Sequence, residues 1–292
     1  MMKKHQYPFG IAIMICSSAC FSIMAGLIRY LSHVDAFTIA FFRFAIALAL
    51  LGTLALTKKI KLTFTSSTLL FLRGFFGGAA VLLFYFSIST IGISKATVIV
   101  YSSPIFATIG SALFLGEKVS PKKCLVILSA FIGIYLIATS STQSFARIGR
   151  YDLLATMGAL SAGVAVVLVK KLRDTESSYS IFFAQCIVGF WLVLLPGNVV
   201  TSTIGLSGGL LLLAIGVTAS AGQLMMTYSY RYLPVSTGSL IGMLVPVCNI
   251  AIGVIGFNED ISRQCIMGII IVLASCTFLL AGKKAVYPSL TG

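Results

Sequence analysis

The chain is expected to be an all-α membrane protein of ten transmembrane helices arranged as two inverted five-helix repeats. Three observations predict this. Hydrophobic residues make up 58% of the 292 and charged ones only 10%, more apolar surface than the core of one soluble domain could bury. Apolar runs of about 20 residues, each long enough to cross a hydrocarbon core of ~30 Å, follow one another with short connections. The second half repeats the first at an offset of 142 residues: Gly74, Gly77, Gly78, Pro104, Glu117 and Ser120 correspond to Gly216, Ala219, Ser220, Pro246, Glu259 and Ser262. A unit with an odd number of spans, repeated in one membrane, points the opposite way the second time.

The spans are expected at roughly 9–31, 37–57, 69–91, 95–115, 122–140, 152–170, 179–199, 206–230, 235–257 and 264–282. They must be helices, because backbone groups in lipid have to be satisfied within the segment and the pattern lacks the alternation of a barrel. The first follows a basic start, MMKKHQYP, and runs on to Arg29 and Tyr30. That is longer than the apolar region of a signal peptide, so it reads as an uncleaved span. Its Ser18, Ser22 and Gly26 recur every four residues, as suits close helix contact in lipid. Span two contains Arg43 in Phe41-Phe42-Arg43-Phe44. Span three contains Arg73 in Leu72-Arg73-Gly74, the small pair Gly74 and Gly78, and the polar Tyr85 and Ser87. Span four holds Tyr101-Ser102-Ser103-Pro104 near its middle and ends at Gly116-Glu117, and Ser120-Pro121 then places an N-cap and a first-turn proline at span five.

The polar segment Ser140 to Gly149 is the natural seam between residues 1–142 and 143–292. Spans one and six pair at offset 144, Tyr7 with Tyr151, Ser17 with Ser161 and Arg29 with Arg173. Span seven carries Trp191, read as facing lipid or packing. Span eight carries the small run Thr218-Ala219-Ser220-Ala221-Gly222, then Gln223, Thr227 and Tyr228, with Tyr230 and Tyr232 at its boundary as interfacial anchors. Span nine has Gly238, Gly242, Pro246 and Asn249, and Ser262 caps span ten.

The net charge of +14 does not indicate nucleic acid, because no basic face exists outside short loops. With a cytoplasmic N-terminus, fourteen of the 21 Lys and Arg fall on the cytoplasmic side, five on the other, and Arg43 and Arg73 lie within spans. This positive-inside split puts both termini in the cytoplasm. The seven cysteines include no CxxC pair. Cys16 and Cys20, one turn apart, read as packing residues, and no metal or cofactor is called for. Neither a Gly-rich phosphate loop after a strand, nor HExxH, nor GxSxG occurs, which argues against an enzyme.

Pro104 and Pro246 should kink spans four and nine, and paired interruptions in two repeats point to the binding site of a carrier that opens to alternate sides. A small-molecule substrate is then expected between the halves, lined by Tyr85, Tyr101, Ser102, Gln223, Tyr228 and Asn249. An arginine mid-membrane costs about 2.5–3.5 kcal/mol on insertion scales. Arg43 and Arg73 are each one to two turns from a span end, so each either snorkels to the headgroups or faces the cavity and pairs with a carboxylate or phosphate of the substrate. All seven acids sit at span ends or in loops, which leans the expectation away from a proton pump towards exchange or facilitated transport. Glu117 is expected to pin loops through Lys118 or Lys122. The alternative is a membrane scaffold or complex subunit that transports nothing. The lipid bilayer is the other expected partner, and the chain is expected as a monomer or homodimer.

Phe42-Arg43-Phe44, Leu72-Arg73-Gly74 and Pro104 followed by Gly116-Glu117, with Pro246 and Glu259 in the second copy, resemble the drug/metabolite transporter superfamily, specifically its ten-helix proteins with two EamA-like domains. The second copy departs in having Asn258 where the first has Gly116. The resemblance implies a bacterial inner-membrane location, cytoplasmic termini and a central cavity between the halves. The family includes exporters of amino acids and other metabolites and importers such as the S-adenosylmethionine transporters of intracellular bacteria. The FFRF and LRG elements are similar to those of the latter group.

Overall fold

The computed structural model describes residues 6–91, 93–140, 149–194, 204–258 and 260–284. Both termini, Glu259, the end of the expected seventh span and all but the edges of the 140–149 seam lie outside them. All regular structure among the described residues is α-helical. The helices are α1 (Gln6–Arg29), α2 (Ala36–Leu56), α3 (Ser67–Ile91), α4 (Ile93–Val100), α5 (Ser103–Leu115), α6 (Pro121–Thr139), α7 (Arg150–Leu172), α8 (Ser178–Leu194), α9 (Leu206–Ser229), α10 (Val235–Gly242), α11 (Leu244–Phe257) and α12 (Arg263–Lys284). Eight segments are long and apolar enough to cross a membrane, with α4–α5 and α10–α11 each counting as one; α8 and α12 supply shorter apolar stretches.

Local chemistry sets the boundaries. Asp35 Oδ2 accepts from the Phe37 and Thr38 N–H groups at 2.8 and 3.3 Å and starts α2. Ser120 Oγ and Ser262 Oγ accept from Lys123 N–H at 3.4 Å and Cys265 N–H at 3.1 Å, so both predicted caps form. A proline cannot donate to the carbonyl four residues back. For Pro104 that carbonyl belongs to Val100, and for Pro246 to Gly242, the last residues of α4 and α10. The two spans are therefore interrupted at matching places. The bounds of α10 lie 142 residues beyond those of α4.

The span-four and span-nine helices also stop alike. Gly116 and Asn258 both take left-handed backbone, at φ 64° and 50°, and their N–H groups reach Ser111 O and Gly253 O. This accounts for the Gly-to-Asn departure between the copies, since Asn is among the few side chains that tolerate this region. Gly116→Ala is expected to destabilise by about 1 kcal/mol, and Asn258→Gly to be close to neutral, both read as the midpoint of thermal unfolding in detergent.

Helix α3 packs against α7 and α8, α1 against α9, and α6 against α12. One apolar cluster unites α6 and α12 with α10 (Ile134, Val272, Leu240) and another unites α2 and α8 (Phe44, Leu51, Cys186, Val193). At one end of the bundle, here called the basic end, the loops after α2 and α7 are tied together. Glu176, 4% exposed, accepts from Thr63 Oγ1 and Ser66 N–H at 2.7 Å each, and Ser180 Oγ accepts from Thr63 N–H at 2.8 Å.

Candidate functional site

The predicted site residues separate into three groups. The first forms where α2, α3 and α8 meet. Arg73 is 2% exposed and donates from Nη2 to Gln185 Oε1 at 2.8 Å, while its Nε and Nη1 are buried without a protein partner. It does not snorkel. Its guanidinium folds back over Gly77 on its own helix, so an added Cβ there would collide with Nη1. Arg43 reaches in from α2, and both arginines lie within electrostatic reach of the buried Cys186. Two arginines, Arg73 buried and Arg43 half-buried, thus share this neighbourhood, whereas the acids among the described residues are at helix ends or in loops. Guanidinium donors in a dry, low-dielectric place are strongly disposed to take an anion in a fork-shaped contact. Tyr85, 5% exposed, packs in the neighbouring α2–α8 cluster.

The second group lies at the helix breaks and on α9. Tyr101 and Ser102 form the α4–α5 break, with Ser102 Oγ donating to Ile99 O at 2.6 Å. Tyr101 packs on the α6–α12 cluster. Pro104 and Pro246 are buried just beyond the two breaks. On α9, Gln223 (4% exposed) and Thr227 (0%) are buried, and Gln223 Nε2, Thr227 Oγ1 and Asn249 Oδ1 are buried without a protein partner. Unpaired polar groups in an apolar interior cost free energy, so these three call for a partner beyond the side chains around them.

The third group is at the basic end. Tyr228 accepts from Tyr232 O–H at 3.0 Å, stacks edge-on with Phe9 at 6.4 Å and lies beneath the Arg173 guanidinium at 5.9 Å. Burial, followed by the neighbouring Arg231 charge, holds the Arg173 pKa below its usual value. Tyr228 lines a cavity of about 670 Å³ with Ile13, Cys16, Tyr179, Met225 and Arg231. Tyr228 therefore stands at a mouth of the bundle. A second cavity of about 230 Å³ lies at the same end between Glu117, Lys170 and Asp174.

Hydrogen bonds cross between helices beside this second cavity. The Glu117 carboxylate accepts from Val235 N–H, at 2.9 Å to Oε1 and 3.1 Å to Oε2. This corrects the expectation that Glu117 would hold Lys118 or Lys122: its neighbour in space is the first turn of α10. Lys170 Nζ donates to Tyr230 O at 2.8 Å. At the opposite end, Lys95 Nζ pairs with Asp152 Oδ2 at 2.7 Å. Gln185, Gly77, Glu176 and Lys170 were not singled out from the sequence. For Gln185 a signal existed, because it stands 142 residues beyond Arg43 and so shares its place in the repeat.

Known proteins resemble this chain along almost its whole length. The family described as the EamA-like transporter family matches residues 8–139 and again 149–281. The pseudopaline exporter CntI of Pseudomonas aeruginosa is 27% identical over 280 residues, covering 94% of this chain and 97% of that protein. The S-adenosylmethionine uptake transporter of Rickettsia bellii is 25% identical over 294 residues, covering 95% of each. A crystal structure with 16% identity superposes with a TM-score of 0.81 over 94% of this chain and 98% of that one, a likeness of fold.

Proposed function

Since this chain belongs to the EamA-like transporter family, we propose that it is a ten-helix carrier that moves a small, polar, carboxylate-bearing metabolite across a bacterial inner membrane by alternating access. The cargo class is an amino acid or an amino-acid derivative such as S-adenosylmethionine. The chain divides into repeats 1–142 and 143–292, inverted with respect to each other, with both termini in the cytoplasm. The basic end of the bundle, where Lys58, Lys59, Lys170, Lys171 and Arg231 gather, is then the cytoplasmic face.

One observation carries the reading: Arg73 is buried with two of its nitrogens unpartnered, a second arginine lies nearby, and no acid among the described residues pairs with it. A structural guanidinium at this depth would be paired, because an uncompensated buried charge is strongly unfavourable. A carboxylated cargo supplies the missing charge, and Gln185 and Gln223 supply amide groups for its polar remainder. The breaks at Tyr101–Ser102 and Met243 let the halves of spans four and nine swing separately. The names of the relatives, one exporting pseudopaline and another taking up S-adenosylmethionine, support a small metabolite.

The purified protein in liposomes tests this. Preloading with unlabelled amino acids or S-adenosylmethionine is expected to drive accumulation of the labelled compound, while a non-carboxylated analogue drives none. Accumulation no faster than in empty liposomes, across both cargo groups, would favour the scaffold reading instead.

A further inference from the structure

We infer that Glu117 is the latch of the cytoplasmic gate: its carboxylate caps α10 while that side is closed and lets go when it opens. The inference rests on the alternating-access reading above. A carboxylate at the end of α5, in the first half of the chain, accepts from the N–H of Val235 through both oxygens. Val235 opens α10, in the second half, and its N–H is one of the donors that a helix start leaves unsatisfied. The contact therefore joins the two halves, and it is both a charge-assisted hydrogen bond and a favourable placement of negative charge at a helix N-terminus.

The surroundings suit a contact that breaks. The latch lies beside a cavity open at the surface and shared with Lys170, Lys171 and Asp174, so a released carboxylate enters water and cations rather than lipid. Lys170, already within electrostatic reach of Glu117, is the nearest alternative partner. Behind the latch the wall is tight: Val235 is 0% exposed, Ser236 1% and Tyr230 2%. Tyr230 also lies within electrostatic reach of both Glu117 and Arg73, so one buried ring stands near both the latch and the guanidinium.

The two ends of the bundle are unequal in the way a gate requires. Helices α5 and α10 are packed together at the cytoplasmic end. The repeat offset makes α11 and α4 the corresponding pair at the other end, and among the described residues those two lack a comparable seam. Spans four and nine are thus drawn together at the Glu117 side and lack an equal seam at the opposite side. Glu117 touches no cargo in this account; it is a positioning residue that acts through α10.

Two measurements on the full chain test it, both with the seven native cysteines replaced by alanine. In the first, Ser236→Cys reports access behind the latch, labelled by a membrane-impermeant maleimide from the cytoplasmic face of inside-out vesicles. Adding Glu117→Ala is expected to speed labelling by roughly tenfold or more, as removal of a hydrogen bond to a charged group should, and Glu117→Asp to restore part of the protection. In the second, Glu117→Cys and Val235→Cys are joined by a short bifunctional thiol reagent with a reducible link. Joined protein is expected to lose transport and to regain it on reduction, whereas a purely structural cap would leave transport unaffected. Transport by the joined protein equal to that of its reduced form, or labelling of Ser236→Cys unchanged by Glu117→Ala, would overturn the latch. Neither result resembles failure of the carrier reading itself, in which the unmodified protein would transport nothing.

Discussion

Arg73→Ala is expected to reduce transport by roughly a hundredfold or more, the effect of removing one member of a buried charged pair, while leaving the thermal stability of the empty protein unchanged or higher. The combination follows from the environment. Arg73 makes one protein hydrogen bond, to Gln185, and leaves two nitrogens buried and unpaired. Removing a guanidinium that the fold does not satisfy relieves a desolvation cost. Removing it from a carboxylated cargo takes away a buried fork-shaped partner. Arg73→Lys keeps the charge but not the planar fork, so an intermediate rate is expected. Gly77→Ala offers a second route to the same loss. The added methyl occupies the place of Nη1 and displaces the guanidinium without altering charge. Transport by Arg73→Ala at the wild-type rate would remove Arg73 from the site.

Gly78→Leu is expected to have the largest effect on folding. A Cβ on Gly78 already comes within 2.8 Å of the Gly189 Cα and 2.9 Å of Leu192 Cδ1, and Gly74 stands as close to α8, at 2.7 Å from Ala184 O. The α3–α8 seam thus brings backbone to backbone, which small residues alone permit and which drives helix association in lipid. Backbone cannot rotate away as a side chain can. A leucine here must push α8 off α3, and overpacking of this kind costs about 1–3 kcal/mol or more. The unfolding midpoint in detergent should fall by several degrees and the yield of monodisperse protein with it. The same substitution at Gly209, where an added Cβ would meet no atom within 4 Å, should leave both nearly unchanged. Equal midpoints for the two variants would contradict the packing described.

The helices are legible in the sequence because lipid leaves the backbone so little choice. Length, apolar runs and caps at Ser120 and Ser262 place elements to within a few residues, and Pro104 and Pro246 locate both breaks. The site is less legible. Arg73 can be named because a charge in an apolar run stands out, but nothing in the local sequence distinguishes snorkelling from burial. Only Gln185, 112 residues away, decides that. Tyr85 and Tyr228 look alike as polar aromatics on central spans. The first packs between helices and the second stands at a mouth, since the rotational setting of each helix is fixed by its neighbours rather than by its own pattern. Sequence proximity favours a nearby lysine as the partner of Glu117, and the fold substitutes a backbone donor 118 residues on.

The central claim is one interior chamber reached in turn from either face. Cysteine placed at Gln223, 4% exposed on α9, tests it most directly in the background without native cysteines. Impermeant maleimide is predicted to label it from the outer face of right-side-out vesicles and from the cytoplasmic face of inside-out vesicles, and carboxylated cargo is predicted to slow labelling from both. Labelling from one face alone under every condition, or from neither, would contradict alternating access.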